Sequence, residues 1–215
     1  MKNFWILSAL FILPLVFYLL LSTGMNNFSK LPIITTKVGD ITDFKSSEDN
    51  ILSLNSKISV VCFFGKDLLF RKTNALNINE KIYKHFYQYK DFQMIALLPN
   101  GVEHEASQLK KELGFSTNLE NWHFLYGTPQ ALTNFYNSLQ TNTQLDTFSY
   151  SPLVFIIDTA KNLRGRTDDE DSLNGILYGY DASIVSPIHK KMVDDIKVLL
   201  VENRRAVKQK RNNAK

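Results

Sequence analysis

The sequence predicts an α/β fold in which a central sheet is covered by helices on both faces. Three continuous apolar runs have the length and composition of strands that are buried on both sides. These runs are ISVVCFF at 58–64, FQMIALL at 92–98 and PLVFIID at 152–158. Segments with helical spacing of apolar residues lie between and after them, so the strand crossovers are expected to be helical and right-handed.

Four segments place their apolar residues on one helical face: 71–89, 106–114, 128–139 and 186–200. Thr128 followed by Pro129 has the residue types that favour an N-cap and a first helical position. Ser186 and Pro187 repeat this signal, and we expect the last helix to start there. Two short strands are expected earlier, in ITDF at 41–44 and NILSL at 50–54.

Residues 1–25 are predicted to form a membrane anchor. Phe4 to Ser22 is an uncharged, mostly apolar run of 19 residues, close to the ~20 that a helix needs to cross a bilayer. Pro14 is tolerated in such a helix. Lys2 favours a cytoplasmic N-terminus, which places the rest of the chain on the periplasmic side of the inner membrane. A cleaved signal peptide is the alternative.

The remaining 190 residues divide by composition into a linker at 26–40, one domain at 41–203 and a basic tail at 204–215. The tail carries six Lys and Arg, and without them the net charge of +4 becomes −2. The positive charge is therefore concentrated at the terminus. A nucleic-acid partner is not expected, because such proteins usually carry a basic face on the fold itself.

The segment after the third apolar run is predicted to depart from the regular alternation. KNLRGR at 161–166 has the pattern of an antiparallel return strand, and 167–187 that of an inserted loop or arm. The run DDED at 168–171 is interpreted as a solvated acidic loop. A calcium site is the alternative, but the run lacks the glycine and terminal glutamate of an EF-hand loop.

Several motifs, in order, resemble the Sco family (SenC-like proteins). ITDF and LSLNSKISVVCFF are similar to its first strands, and NWHFLYG at 121–127 resembles its W-x-F-L-T-G segment. PLVFIIDTAKNLRGR at 152–166 and KMVDDIKVLLVE at 191–202 resemble its last strand and its C-terminal helix. The resemblance covers roughly 40–203 apart from 167–187. It implies a thioredoxin-like fold and a membrane-anchored copper chaperone for cytochrome c oxidase assembly.

The resemblance also implies where a copper site should be. Family members carry C-x-x-x-C-P after the first buried strand and a distant histidine, a ligand set that suits soft Cu(I) and thiol exchange. Here the cysteine positions fall on Leu68 or Leu69 and on Lys72 or Thr73, and the histidine position falls on Tyr150. No bound cofactor or metal is therefore expected.

Cys62 is the only cysteine in the chain, so the fold contains no internal disulfide. It lies within an apolar strand, before the loop where the motif cysteines belong. It is interpreted as a small buried hydrophobe with an inert thiol. His85, His104, His123 and His189 show no spacing typical of a metal site.

Pro152 opens the third apolar run, where many thioredoxin-like proteins place a cis-proline. A cis X-Pro bond costs only about 0.5–1 kcal/mol relative to trans. The sequence therefore predicts a cis Ser151–Pro152 bond, with Tyr150 packed near the empty ligand position.

Three functions follow as hypotheses. The first is a membrane-anchored, non-enzymatic binding or scaffolding factor that acts with respiratory oxidase subunits or other copper chaperones. The second is a thioredoxin-fold oxidoreductase or peroxidase acting through Cys62. The third is a periplasmic small-molecule binder. Thiol reactivity separates the first two, and a ligand retained through purification would indicate the third.

Overall fold

The computed structural model describes Leu10 and residues 12–17, 30–46 and 52–213. Its strands are β1 Ile33–Thr35, β2 Lys45–Ser46, β3 Ile58–Phe64, β4 Phe92–Pro99, β5 Trp122–Gly127, β6 Tyr150–Ile157, β7 Leu163–Arg164 and β8 Tyr180–Asp181. The sheet order is β1-β7-β6-β3-β4-β5-β2, and β8 pairs with β6.

The central strand β3 defines two edges of the sheet. β4 is parallel to β3 and β5 is parallel to β4, whereas β6 runs antiparallel to β3. The Ile58 edge is where β3 and β4 begin and where β6 leads into Asp158. The Gly65 edge is where β3 ends and where β6 begins at Tyr150. The seven residues of β3 separate the two edges by about 23 Å.

The helices cover both faces of this sheet. α1 comprises Lys72–Ile78, a π-helical segment Asn79–Tyr83 and Lys84–Phe86. α2 is Glu103–Gly114, and α3 is Pro129–Ser138. α4 comprises Val185–Pro187, a π-helical segment Ile188–Met192 and Val193–Asn213. α1, α2 and α4 pack on one face, and α3 packs on the other.

The buried strands explain the two-faced core. In β3 the side chains of Val60, Cys62 and Phe64 belong to the cluster beneath α1, α2 and α4, while Val61 and Phe63 belong to the cluster beneath α3. Alternating residues of a strand point to opposite faces, so a strand covered on both sides is apolar at every position. The prediction of a central sheet with helices on both faces is confirmed.

The start of α3 agrees with its sequence signal. The Thr128 hydroxyl accepts a hydrogen bond of 3.1 Å from the Ala131 amide, and Pro129 occupies the first turn. This satisfies one of the amides that a helix start leaves without a partner. The last helix starts differently, because α4 begins at Val185 after Ile184 and has no side-chain cap.

The predicted anchor at 1–25 lies largely outside the described residues. Residues 12–17 are helical. Within the part of the chain that the structure describes, no helix combines the length and the apolar character needed to span a bilayer.

The short strand predicted at 41–44 is misplaced. Of the one predicted at 50–54, residues 50 and 51 lie outside the described residues, and residues 52–54 are not in a strand. β1 lies inside the predicted linker and pairs with β7, while β2 follows ITDF and pairs with β5. Residues 41–44 instead form a turn in which the Phe44 amide donates to the Ile41 carbonyl. This turn buries Ile41 and Phe44 together against the α3 face. NWHFLYG, noted only as a motif, forms β5.

The segment 167–187 is tied to the fold more closely than a loop or arm. β7 forms the predicted return strand beside β6, Arg166 bridges to Leu177, and β8 pairs with β6 at Leu153 and Val154. Arg166 also makes a bidentate ion pair with Asp195 of α4, with both N–O distances 2.8 Å. Tyr180 donates its hydroxyl to the same carboxylate. Burial, and then the charge of Asp195, raise the pKa of Tyr180 well above its usual value.

The interpretation of DDED as a solvated loop is wrong for its second residue. Asp169 is buried and forms an ion pair with Lys191, which also contacts Asp171 at 2.8 Å. Burial opposes ionisation of Asp169, but hydrogen bonds from Lys191 and Ser172 outweigh it and lower its pKa. The lysine ammonium occupies the position between the carboxylates that a calcium ion would need.

The cis-proline prediction is also wrong: the Ser151–Pro152 bond is trans, and the described residues contain no cis peptide bond. The pairing of β6 with β3 is interrupted by a bulge between the Phe63–Ser151 and Val61–Phe155 pairs. Pro152 lies in that bulge, where its missing N–H removes no ladder hydrogen bond. A trans proline therefore fits the strand.

A buried guanidinium joins four parts of the fold at the Ile58 edge. Arg164 of β7 donates to the Leu31 carbonyl before β1 and forms ion pairs with Asp158 after β6, at 3.0 Å, and Glu202 of α4, at 2.8 Å. Glu202 in turn accepts the Leu31 amide at 3.0 Å. Each polar group of this cluster thus has a charged or hydrogen-bonding partner.

We expect Arg164→Met to destabilise the protein by about 3 kcal/mol, because it leaves two carboxylates at a mostly buried site without their cation. Urea unfolding of the full chain in detergent, followed by circular dichroism, measures this. Lys197→Met is the matched control, since Lys197 forms an exposed ion pair with Asp194 on the same helix. That change should cost less than about 1 kcal/mol. Equal effects of the two variants would contradict the role of Arg164.

Candidate functional site

The predicted ligand positions lie at the Gly65 edge, where β3 leads into α1. Gly65 has a φ of +70°, a conformation that glycine adopts without strain. A Cβ at Gly65 would lie 2.7 Å from the Phe148 carbonyl oxygen and 2.8 Å from the Tyr150 Cβ. The Lys66 amide donates to the same carbonyl at 2.9 Å. The loop after β3 and the start of β6 are therefore in direct contact.

Tyr150 is enclosed by polar side chains at this edge. The Arg71 guanidinium lies over its ring, with Cζ 3.5 Å from the ring centroid. Asn74 donates its side-chain amide to the Tyr150 hydroxyl at 2.7 Å. Asp146 is 3.5 Å from Arg71 and accepts the backbone amides of Phe148 and Tyr150, each at 2.8 Å. We call Arg71, Asn74, Asp146 and Tyr150 the Tyr150 cluster.

The structure places the predicted cysteine-equivalent positions beside this cluster but gives them separate environments. Leu68 is buried in the core, whereas Leu69 and Thr73 are exposed. Lys72 reaches away to form an ion pair with Glu112 of α2 at 3.1 Å. Tyr150, the histidine-equivalent position, contacts Arg71 and Asn74, which lie on the same stretch of chain as those four residues.

The chemistry of the Tyr150 cluster is unlike that of a Cu(I) site. Cu(I) prefers thiolate, thioether and imidazole ligands. The cluster instead offers a phenol, an amide and a carboxylate that is already shared between Arg71 and two backbone amides. The guanidinium also places a positive charge where a metal cation would otherwise lie. These groups form a hydrogen-bonding and cation–π arrangement, in which the buried Arg71 Nε has no hydrogen-bond partner among the described residues.

Sequence reasoning found Tyr150 but missed Arg71, Asn74 and Asp146. Arg71 and Asn74 are three residues apart at the start of a helix, a spacing that places both on one face. That spacing was a usable signal. The contact with Tyr150 joins residues 76 positions apart, and local pattern carries no information about it.

Cys62 is enclosed in the sheet. Its residue surface is 1% exposed, and the Sγ is 3.5 Å from the Ile95 carbonyl oxygen on β4. Burial raises the pKa of the thiol far above its usual value, which suppresses the reactive thiolate. The structure thus provides no environment in which Cys62 acts as an oxidoreductase or peroxidase nucleophile.

The remaining potential metal ligands are dispersed. Across residues 30–46 and 52–213, no three His, Cys, Asp or Glu side chains are grouped so that they could hold a metal ion. The four histidines lie on four different elements: His85 on α1, His104 on α2, His123 on β5 and His189 on α4.

Apolar side chains are exposed beside the Tyr150 cluster. Phe70 is 86% exposed, Phe148 is 45% exposed and Leu69 is 39% exposed. The Lys66–Phe148 hydrogen bond and the Arg71–Asp146 ion pair hold their two segments together. We call Leu69, Phe70 and Phe148 the Phe70 surface. Exposed apolar groups concentrated at one edge are typical of an interaction site.

A groove of about 680 Å³ lies at the opposite, Ile58 edge. Its walls include the chain from Lys30 to Ile33 and the part of α4 that contains Glu202 and Arg205. The buried Arg164 also contributes to it. The groove and the Tyr150 cluster are therefore separated by the length of the sheet.

Comparison with known proteins identifies the fold. No protein-family model matches the sequence, and no curated protein sequence matches it. Among solved structures, the chain is similar to BsSco, described as a Sco-family cytochrome c oxidase assembly protein with a disulfide switch. The TM-score is 0.55 at 12% identity, over 79% of this chain and 97% of BsSco.

A second similar structure is a Bacteroides thetaiotaomicron protein described as a candidate disulfide isomerase. The TM-score is 0.53 at 12% identity, over 82% of this chain and 98% of that protein. This chain has a thioredoxin-like fold. The similarity at 12% identity concerns the fold alone, and it confirms the fold that the Sco resemblance implied. The names of both proteins refer to disulfide chemistry, which requires thiols that the Gly65 edge of this chain lacks.

We expect Cys62 to be inert to a thiol reagent such as Ellman's reagent in the folded protein and to react fully in denaturant. The physical reason is its burial and the raised pKa of its thiol. Absorbance at neutral pH, with and without urea, measures this, and Cys62→Ala supplies the blank. Rapid reaction of the Cys62 thiol in the folded protein would show that it is accessible. That result would favour the hypothesis of an oxidoreductase acting through Cys62.

Proposed function

We propose that this protein is a membrane-anchored, Sco-like binding factor without a functional copper or redox site, and that it acts in respiratory cytochrome c oxidase assembly. The anchor is residues 1–25, and the folded domain lies on the periplasmic side of the inner membrane. Its partners are oxidase subunits or other copper chaperones.

The observation that carries the proposal is the Tyr150 cluster. In a thioredoxin-like fold that resembles the Sco family, the positions of the ligands hold Leu68 or Leu69, Lys72 or Thr73, and Tyr150. Arg71 and Asn74 engage Tyr150 so that its polar groups are satisfied within the protein. These contacts hold the loop against β6, and none of the groups that make them is a soft ligand for a metal.

The Phe70 surface supports a binding role at the same edge. Full burial of a phenylalanine side chain stabilises a protein by roughly 1.5–3 kcal/mol relative to exposure to water. Nothing in the described fold uses the ring, since it is 86% exposed. A partner that covers Phe70, Phe148 and Leu69 recovers that free energy.

The groove at the Ile58 edge favours a second candidate function, a periplasmic small-molecule binder. Its volume of about 680 Å³ is within the usual range for ligand pockets. Arg164 and Glu202 supply polar groups at its wall. Native mass spectrometry of the purified chain tests this candidate, and a retained small molecule would favour it over the scaffold.

We expect the wild-type protein to bind no stoichiometric copper, because no thiolate or imidazole lies in the Tyr150 cluster. Metal analysis after expression in copper-supplemented medium measures this. Two variants restore the ligand set in the two possible registers: Leu68→Cys/Lys72→Cys/Tyr150→His and Leu69→Cys/Thr73→Cys/Tyr150→His. One of them should gain about one Cu(I) per chain. Tightly held copper in the wild type, or none in either variant, would contradict the assignment.

We expect a photo-cross-linking amino acid at Phe70 to capture oxidase subunits or copper chaperones in intact membranes, identified by mass spectrometry. Phe115 is the matched control position, because it is 95% exposed but lies in the connection to β5 at the Ile58 edge. Membranes are first washed with carbonate, which removes proteins that lack an anchor.

Each step of that experiment has a contradicting result. Loss of the protein in the carbonate wash contradicts the anchor. Identical products from Phe70 and Phe115 contradict a binding role for the Phe70 surface. Products that contain neither oxidase subunits nor copper chaperones contradict the proposed assembly role.

A further inference from the structure

The basic tail is an extension of α4 beyond the folded core. The sequence predicts a basic tail at 204–215, and its described part, residues 204–213, continues the helix with all ten residues exposed. Ten helical residues extend about 15 Å. α4 is joined to the core by Glu202, which binds Arg164 and Leu31, and by Asn203, which binds Asp91 at 3.0 Å. The next residue, Arg204, lies over the Tyr89 ring with its Cζ 5.2 Å from the ring centroid. We call residues 204–213 the basic extension.

The direction of the basic extension follows from these contacts. α4 begins near β8, where Asp181 pairs with Leu153 toward the start of β6. It then reaches Asp158 and Asp91 through Arg164 and Asn203, and both aspartates lie at the Ile58 edge. The basic extension therefore projects past the Ile58 edge, away from the Phe70 surface.

The described chain also enters the fold at this edge. Lys30 and Leu31 line the same groove as Arg205 and Gln209, and the Leu31 amide binds Glu202. Residues 23–29 separate Lys30 from the predicted apolar span. Seven residues reach at most ~25 Å. Lys30 is thus within ~25 Å of the membrane that holds the span. This distance is less than twice the length of the basic extension.

The charge of the basic extension is of one sign. It contains Arg204, Arg205, Lys208, Lys210 and Arg211, and no acidic residue. A cationic helix within a Debye length of an anionic lipid surface is attracted to it. Val207, which is 49% exposed, adds an apolar group between the charged ones, as in helices that lie on membrane surfaces.

We propose that the basic extension binds the anionic headgroups of the membrane in which residues 1–25 are anchored. The contact holds the Ile58 edge toward the bilayer and presents the Phe70 surface away from it. The inference rests on the proposed anchor. It goes further by assigning the tail a ligand, anionic phospholipid, and the domain an orientation.

The test uses the full chain in a Cys62→Ala background with a fluorophore on Gln209→Cys. The chain is reconstituted in phosphatidylcholine vesicles or in mixed phosphatidylcholine and phosphatidylglycerol vesicles, both with a nitroxide-labelled headgroup lipid. We expect quenching in the mixed vesicles only, reversed at about 1 M salt, where the Debye length is about 3 Å. A fluorophore on Asn100→Cys, after β4 at the Gly65 edge, should not be quenched in either.

Charge variants distinguish an effect of the basic extension from an effect of the net charge of the protein. Lys208→Glu/Lys210→Glu/Arg211→Glu should abolish quenching at residue 209. Lys45→Glu/Lys66→Glu/Lys190→Glu changes the same number of exposed lysine or arginine charges elsewhere and should leave it unchanged. All six positions are exposed, and circular dichroism verifies that both variants retain the fold.

Flotation at high salt reports the anchor independently of the probe. Quenching that is equal in both lipid mixtures, or unchanged by the 208/210/211 variant, overturns the headgroup contact even if the chain floats. Quenching that depends on anionic lipid in a chain that fails to float at high salt supports the headgroup contact and overturns the anchor. Absence of quenching in mixed vesicles overturns the headgroup contact in either case.

Discussion

The buried Arg164 guanidinium is the constraint on which the arrangement of the whole domain depends. It binds the chain before β1, the residue that ends β6 and the last helix, all at one edge of the sheet. A buried guanidinium requires partners in fixed directions, because its five donors form a rigid fork. Leu31, Asp158 and Glu202 therefore meet at this point, and α4 is held against the Ile58 edge of the sheet.

That crossing gives the two edges of the sheet different properties. The Ile58 edge receives the chain at Lys30 and extends the cationic end of α4. The Gly65 edge carries the loop after β3 and the exposed Phe70. The ion pair of Arg166 with Asp195 fixes the middle of the same helix, so its orientation is set at two points. Interaction at either edge thus leaves the other free to contact a different partner.

The sequence predicted features that depend on local pattern and missed those that depend on distant contacts. The three buried strands and the capped start of α3 follow from apolar runs and from Thr128–Pro129, and all were recovered. β1 and β8 have only three and two residues, and pairing across the sheet alone defines them. The burial of Asp169 needed Lys191, 22 positions away, and nothing around DDED indicates it.

In the candidate site, too, the positions follow from local sequence, whereas the contacts between them join distant parts of the chain. The location of these positions explains how a thioredoxin-like fold persists without thiols. The predicted positions lie on a loop and a helix start, while the core is formed by β3, β4 and the helices beneath and above them. Of these positions only Leu68 belongs to the core, where a leucine packs among apolar neighbours. Contacts among Tyr150, Arg71, Asn74 and Asp146 then hold this edge together as a structural element. Stability does not explain Phe70, since an exposed ring adds nothing to folding. The Tyr150 cluster accounts for the loop, and Phe70 remains to be accounted for by a partner that covers it.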